Sequence, residues 1–195
     1  IEEVPRIAIQ ADDLRIDASA LYDADGKGLG RVDFTRAAWG ETDLKGWLVA
    51  RDDGGWDVRI DGPRLDLEPL VGDALDYGSG GGQADARPGP KFRLEADIGQ
   101  VRLGDGRFVE AFKGHLVSDG YRWRQANLEA RVGEAKRLAL TIRESGEDTR
   151  ALAIHADDAG ATLRAFGYYD NMIGGTLDLI GDYDDSSPSS MLKGR

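Results

Sequence analysis

Residues 46–61 read Gly46-Trp47-Leu48-Val49-Ala50-Arg51-Asp52-Asp53-Gly54-Gly55-Trp56-Asp57-Val58-Arg59-Ile60-Asp61. Two runs that alternate apolar and polar side chains flank the turn Asp52-Asp53-Gly54-Gly55. Period-two alternation is the pattern of a strand with one buried face. Asp-Gly favours a tight reversal because both residues tolerate positive φ. A four-residue loop sets Arg51 opposite Trp56, Val49 opposite Val58 and Trp47 opposite Ile60, so apolar and aromatic side chains gather on one face. Leu48, Ala50, Asp57, Arg59 and Asp61 take the other. The stretch reads as a half-buried antiparallel hairpin, and it places the chain in the mainly-β class.

Working outward, a second hairpin turns at Asp119-Gly120. It sets Leu116 opposite Trp123 and Ser118 opposite Tyr121, with Phe112 and Phe108 continuing the same face. A third pairs Leu138 with Ile154, Leu140 with Leu152 and Ile142 with Arg150, across the polar loop 144–149. The parity of the apolar positions switches three times. Ile7, Ile9 and Ala11 are odd, but Leu14, Ile16 and Ala18 are even, with Asp12-Asp13 between. Phe92, Leu94, Ala96 and Ile98 give way to Val101 and Leu103 across Gly99-Gln100. Tyr121 and Trp123 give way to Ala126, Leu128, Ala130 and Val132 near Arg124-Gln125. One extra residue in a strand restores the face and bends the strand, so a β-bulge is expected at each switch, and a sheet with several is strongly curved.

A weak repeat organises the chain. Ile7 and Phe92 open similar runs, 92 − 7 = 85 residues apart. The sequence divides into a first β-sheet unit, 1–75, and a second, 91–195. Each closes on a strand running into a short helix: Leu65-Asp66-Leu67 into 69–75, and Leu152-Ala153-Ile154 into a helix near 158–166. Between them, 76–90 holds Gly78-Ser79-Gly80-Gly81-Gly82 and Pro88-Gly89-Pro90, a loop or linker. The second helix has Asp157 or Asp158 to cap its start, Leu163 and Phe166 as an apolar edge, and Gly167 to close it. Two short helices cannot cover about eleven strands, so the apolar face must meet a second sheet, roll into a barrel or line a groove. The expected fold is mainly β, a strongly curved, bulged antiparallel sheet forming an open β-groove with one or two short helices. A closed sandwich core is the alternative.

Composition narrows the function. The net charge of −11 and the lack of a basic stripe disfavour nucleic acid and anionic membranes. No apolar run approaches the ~18 residues of a membrane span, and Ile1 opens within a strand-like pattern rather than a signal peptide. Cysteine is absent, which removes disulfides and thiolate chemistry. The 27 glycines suit many tight turns. His115 and His155 lie on expected strands with no metal-ligand spacing around them, and read as surface histidines. Asp182, Asp184 and Asp185 lack calcium-loop spacing and read as a solvated cluster. Asp157-Asp158 reads as a helix cap rather than a catalytic pair. Gly78 to Gly82 lacks the Lys-Ser/Thr of a phosphate loop. Trp47, Trp56 and Trp123 could stack on sugars, but they fall on the continuous apolar face. No catalytic residue, metal or cofactor is expected.

The run Ile154-His155-Ala156-Asp157-Asp158-Ala159-Gly160-Ala161-Thr162-Leu163-Arg164-Ala165-Phe166-Gly167, followed by Asp170-Asn171-Met172-Ile173-Gly174-Gly175-Thr176-Leu177-Asp178-Leu179, resembles the C-terminal region of the AsmA-like family. That pattern is a strand, an Ala-Asp-Asp-x-Gly-x-x-Leu-x-x-x-Gly helix, a short turn, Gly-Gly and another strand. Leu192-Lys193-Gly194-Arg195 is similar to the start of the strand that follows. Gly55-Trp56-Asp57-Val58 and residues 63–70 look like segments of the same proteins, including the YhdP and TamB relatives. The likeness covers about the last 45 residues well and the rest loosely. It implies a non-enzymatic segment of a long apolar β-groove, anchored in the inner membrane of Gram-negative bacteria through a part outside this chain and extending into the periplasm. It further implies bridge-like phospholipid transport toward the outer membrane, outer-membrane biogenesis, and flanking sheet segments as neighbours. The expected partners are phospholipid acyl chains. The expected groove lining is Ile7, Ile9, Leu14, Ile16, Trp47, Val49, Trp56, Val58, Ile60, Phe92, Leu94, Ile98, Phe108, Phe112, Leu116, Trp123, Leu128, Leu138, Leu140, Ile142, Leu152 and Ile154. Two other classes fit a curved sheet: an assembly factor that pairs partner strands at a sheet edge, and a carbohydrate-binding β-protein.

Overall fold

The computed structural model describes residues 3–23, 28–68 and 89–186, together with the backbone of 191–194. These form one 12-stranded sheet whose spatial order is the order of the chain. The strands are β1 (Glu3–Gln10), β2 (Leu14–Tyr22), β3 (Leu29–Trp39), β4 (Thr42–Ala50), β5 (Trp56–Asp66), β6 (Phe92–Gly104), β7 (Arg107–Ser118), β8 (Trp123–Val132), β9 (Lys136–Gly146), β10 (Thr149–Ala156), β11 (Leu177–Asp184) and β12 (Met191–Gly194). One complete helix, α1 (Ala159–Ala165), stands between β10 and β11. Neighbours pair antiparallel except β5 and β6, which run parallel and join the two halves suggested by the sequence into one sheet. The sheet is curled and does not close, so the fold is mainly β and open along one side. The expected helix over 69–75 and the stretch Gly78 to Gly82 lie outside the described residues.

Register assigns the faces. Val58, Leu94, Leu116, Ala126, Ile142 and Leu152 form one cross-strand row, and Ile60, Ala96, Gly114, Leu128, Leu140 and Ile154 form the next. Both rows lie on the inner face, the side that carries α1. The core sits where they approach the helix. Ile98 is 0% exposed, surrounded by Leu44, Val101, Val109, Ala130, Val132 and Ala161 of α1.

The three parity switches have three different causes. Arg124 is a bulge as expected: Val117 pairs with Gln125 but Ser118 with Trp123, leaving one residue over. Gly99-Gln100 marks a real change of face, yet β6 keeps its register with both neighbours, Gly62 to Ile98 and Arg64 to Gln100 on one side, Ile98 to Phe112 and Gln100 to Glu110 on the other. The pleat breaks in all three strands together, at Pro63, Gly99 and Ala111, whose φ is +49°. A side chain at Gly99 would stand 2.7 Å from the Pro63 carbonyl oxygen, so only glycine fits there. The residue offset is taken up farther out, between β4 and β5 and between β7 and β8, and similar slips cross β1 to β4. This band of irregularity bends the sheet.

Asp12-Asp13 is not a bulge. It is a reversal: Ala11 N–H donates to the Leu14 carbonyl at 2.9 Å, and Ile9 faces Ile16. A two-residue turn pairs odd positions with even ones, which mimics a bulge in the parity pattern. The 85-residue repeat therefore fails at its first element, because a hairpin stands where the second half has a single long strand.

The hairpin at 46–61 forms, but one residue out of the expected register. Arg51 and Gly55 close the turn, with Arg51 N–H donating to Gly55 O at 2.9 Å and Gly54 N–H to Arg51 O at 3.0 Å. Gly54 takes φ +75°, giving a three-residue loop with a left-handed third position. Leu48 now faces Val58 and Gly46 faces Ile60, while Trp47 faces Arg59 and Val49 faces Asp57. A slip of one moves side chains to the opposite face. The other two hairpins also differ, with Ser118 opposite Trp123 and Leu140 opposite Ile154. Their shifts are even, so the expected faces stand.

An apolar pocket beneath the helix

Helix α1 is pinned to the sheet by its own sequence. Asp158 is the N-cap, its Oδ1 accepting from Ala161 N–H at 2.8 Å. The first-turn N–H groups of Ala159 and Gly160 donate to the carbonyls of Gly175 and Gly174 at 2.8 and 3.1 Å, so the Gly-Gly turn folds back under the helix start. Gly160 is required for this approach, because a Cβ there would strike the Met172 carbonyl oxygen. At the other end Gly167, with φ +72°, donates to Arg164 O at 3.0 Å, and Arg164 reaches Met172 O at 2.5 Å. Both helix ends thus rest on the same loop, 166–176. The helix lies against β7 and β8 and buries Ala159, Gly160, Ala161 and Thr162.

Beneath it lies a cavity of about 470 Å³, within the ~300–1,000 Å³ typical of ligand pockets. Its sheet wall is Val101, Leu103, Val109, Phe112, Leu128, Ala130, Leu138, Leu140, Ile154 and Leu177, with Leu67 beside them. Its helical wall is Thr162, Leu163, Phe166 and Tyr168. The Thr162 hydroxyl donates to Asp158 O at 2.8 Å. Glu129 borders the cavity, but its carboxylate binds Arg137 at 2.8 Å on the outer face. The lining offers hydrocarbon contact and little else. Each CH₂ moved into such a site from water gains ~0.8 kcal/mol.

The far end of the inner face is charged. Arg150 is buried and clamps Asp185 through two bonds, Nε to Oδ2 at 2.6 Å and Nη2 to Oδ1 at 2.9 Å. Its Nη1 donates to Trp123 O at 2.5 Å, its guanidinium lies 4.7 Å from the Tyr183 ring centre, and Arg122 adds a second cation 3.3 Å from Asp185. The reading of Asp182, Asp184 and Asp185 as a solvated cluster is corrected at Asp185, whose carboxylate is buried in this ion pair.

Of the expected groove lining, Phe112, Leu128, Leu138, Leu140 and Ile154 meet in the pocket. Ile7, Ile9, Leu14, Ile16, Trp56, Val58, Ile60, Phe92, Leu94, Ile98, Leu116, Trp123, Ile142 and Leu152 share the inner face but lie outside it. Trp47, Val49 and Phe108 face outward. The register slip turns the first two, and the pleat break at Ala111 turns Phe108, which pairs with Arg102 and is exposed. Trp47 lies under the Arg31 guanidinium at 5.7 Å, whereas Trp123 meets Phe92 edge-on at 5.8 Å, so the tryptophans do not gather in one cleft. Val101 and Val109, outside the expected lining but in the pocket, lie beyond the pleat break, and the parity switch at Gly99-Gln100 is their signal.

The outer face is polar. Arg-x-Asp recurs along the strands, and spacing of two puts both side chains on one face: Arg15 to Asp17 at 3.1 Å, Arg31 to Asp33 at 2.6 Å, Arg59 to Asp61 at 2.7 Å. The hydrogen bonds from Arg31 and Arg59 hold the Asp33 and Asp61 carboxyls below the usual carboxylate range. Both histidines are also here. His115 meets Glu95 at 2.5 Å. His155 has Asp178 at 2.7 Å on Nδ1 and Asp157 at 3.1 Å on Nε2. These bonds, Asp178 first, raise the imidazole pKa above its ordinary 6.5. Among the described residues no group of three or more His, Cys, Asp or Glu is arranged to hold a metal ion. Comparison with protein-family models, curated proteins and solved structures finds no match to this chain.

Proposed function

We propose that this chain binds the hydrocarbon chain of a lipid under α1 and along the inner face. In this reading it is a non-enzymatic groove segment of an AsmA-like envelope protein, working in the periplasm of a Gram-negative bacterium in phospholipid transport between the inner and outer membranes. The observation that carries the proposal is the apolar cavity beneath α1, continuous with an open, curled, apolar sheet face. The family resemblance of residues 154–179 supplies the setting and the inner-membrane anchor outside the chain. The polar, ion-paired outer face suits a segment that crosses water. In this reading β1 and β12, each with one neighbour among the described residues, pair with flanking sheet segments.

The test is lipid extraction and mass spectrometry on the chain purified from a Gram-negative host without detergent. Phospholipid or fatty acid should co-purify, and Leu140→Asp should abolish it. A chain that carries no lipid and takes up no fatty acid when offered one contradicts the proposal. The open edges favour a second reading, an assembly factor that pairs partner strands. That reading gains if an extended peptide protects β1 amides from hydrogen exchange while lipid does not.

A further inference from the structure

Loop 166–176 carries a patch of apolar and aromatic side chains held outward. Ile173 is 93% exposed, Tyr168 72% and Tyr169 56%, with Phe166 and Met172 beside them. Monomeric surfaces seldom gather such side chains without a partner. The loop is not loose, because the bonds from Ala159, Gly160 and Arg164 to Gly175, Gly174 and Met172 fix its backbone. Phe166 and Tyr168 belong both to this patch and to the pocket wall.

We propose that this loop docks on a zwitterionic lipid bilayer, with Ile173 and Met172 in the acyl boundary and Tyr168 and Tyr169 at the headgroup level. The inference rests on the acyl-binding reading, for which it supplies the route between bilayer and pocket. Three observations select the occupant. Tyrosine beside aliphatic side chains matches the polarity gradient of a membrane interface. Loop 166–176 carries one charged residue, Asp170, and Arg164 of α1, whose guanidinium donates to Met172 O, offsets it, so the local charge is +1 − 1 = 0, whereas the chain carries −11. A neutral patch on an anionic protein fits a neutral surface and is repelled by an anionic one. Finally, the patch is continuous with the pocket through shared residues, as a docking site that feeds it must be.

The experiment is flotation of the whole chain with phosphatidylcholine vesicles, for wild type and for Ile173→Asp combined with Tyr169→Ser. Both side chains are exposed, and thermal melting checks that the fold is kept. Wild type should float with the vesicles, and the variant's bound fraction should fall about tenfold, as expected from losing one inserted isoleucine and gaining a charge. Uptake of a fluorescent fatty acid delivered without vesicles should be the same in both. Leu140→Asp should do the reverse, keeping flotation and losing uptake. Failure of wild type to float, or equal flotation of the variant, overturns the docking proposal. So does a wild-type dimer that the variant dissolves without wild-type flotation, which would assign the patch to a second copy. If wild type floats and the variant does not, but neither takes up fatty acid, docking stands and the acyl-binding reading falls.

Discussion

His155 shows how two carboxylates and one imidazole share protons. A neutral ring donates from one nitrogen only, so with Asp178 and Asp157 on its two nitrogens one contact lacks a proton, and the charged ring satisfies both. The surrounding charges are Asp157 on its own segment, Asp178 on β11, and Arg137 on β9, itself paired with Glu129 on β8. A pKa raised on folding gives stability that is complete below the unfolded value near 6.5 and is lost as pH rises through the folded value. Asp157 is shifted the other way, first by His155 and then by the Arg137 N–H, so its contribution is present above about 3.8 and fades as pH falls further. His155→Gln should therefore lower the melting temperature between about pH 4 and 6.5 and leave it unchanged near pH 9. An equal loss at both extremes would show that the imidazole acts by packing. The buried pair is a sterner test. Asp185→Asn leaves Arg150 buried without its carboxylate and should cost about 3–5 kcal/mol in denaturant unfolding, whereas a loss below about 1 kcal/mol would mean the pair is hydrated. Nothing in Asp182-Tyr183-Asp184-Asp185 distinguishes the buried aspartate from its neighbours. Its partners come from β10 and the β7–β8 turn, beyond the reach of local pattern.

At the scale of elements, the helix was legible and the hairpin registers were not. Asp158, Gly160, Gly167 and the Gly174-Gly175 turn all appear in the sequence at the spacing their roles need, because capping and close approach are local. Asp158→Ala should cost about 1 kcal/mol through the lost cap. Gly160→Ala should cost more, since the collision with Met172 O lifts the helix from its turn. Hydrogen exchange of the Ala161 and Thr162 amides should report both, and unchanged protection in Gly160→Ala would contradict the close contact. Hairpin register depends on loop length, and Asp52-Asp53-Gly54-Gly55 suits a three- or four-residue loop equally well. The structure takes the former with Gly54 left-handed, and that one-residue difference sends Trp47 and Val49 outward. The other hairpins erred by even steps, so their faces survived. A parity switch likewise has several sources: a bulge at Arg124, a turn at Asp12-Asp13, and a concerted pleat break through Gly99.

Across the molecule, period-two patterning fixed the class of fold, and a long apolar face with little helix to cover it left a second sheet, a barrel or a groove, of which the structure takes the open, curled sheet. The pattern gave no sign that this face is uneven. One end packs around Ile98 and Ala161 and is roofed by α1, and the other carries Arg150 and Asp185. Ile98→Ala should cost about 2–5 kcal/mol as a cavity in packed core. Val49→Asp, now an outer-face change, should cost about 1 kcal/mol or less. The central claim is that hydrocarbon occupies the inner face beneath α1. The most direct measurement is photocrosslinking of an acyl-chain lipid to the chain carrying a photoreactive residue in place of Leu140 or, separately, of Val49. Hydrocarbon held beneath α1 should give a lipid adduct from position 140 and none from 49. Equal labelling at both positions, or labelling at 49 alone, would contradict it.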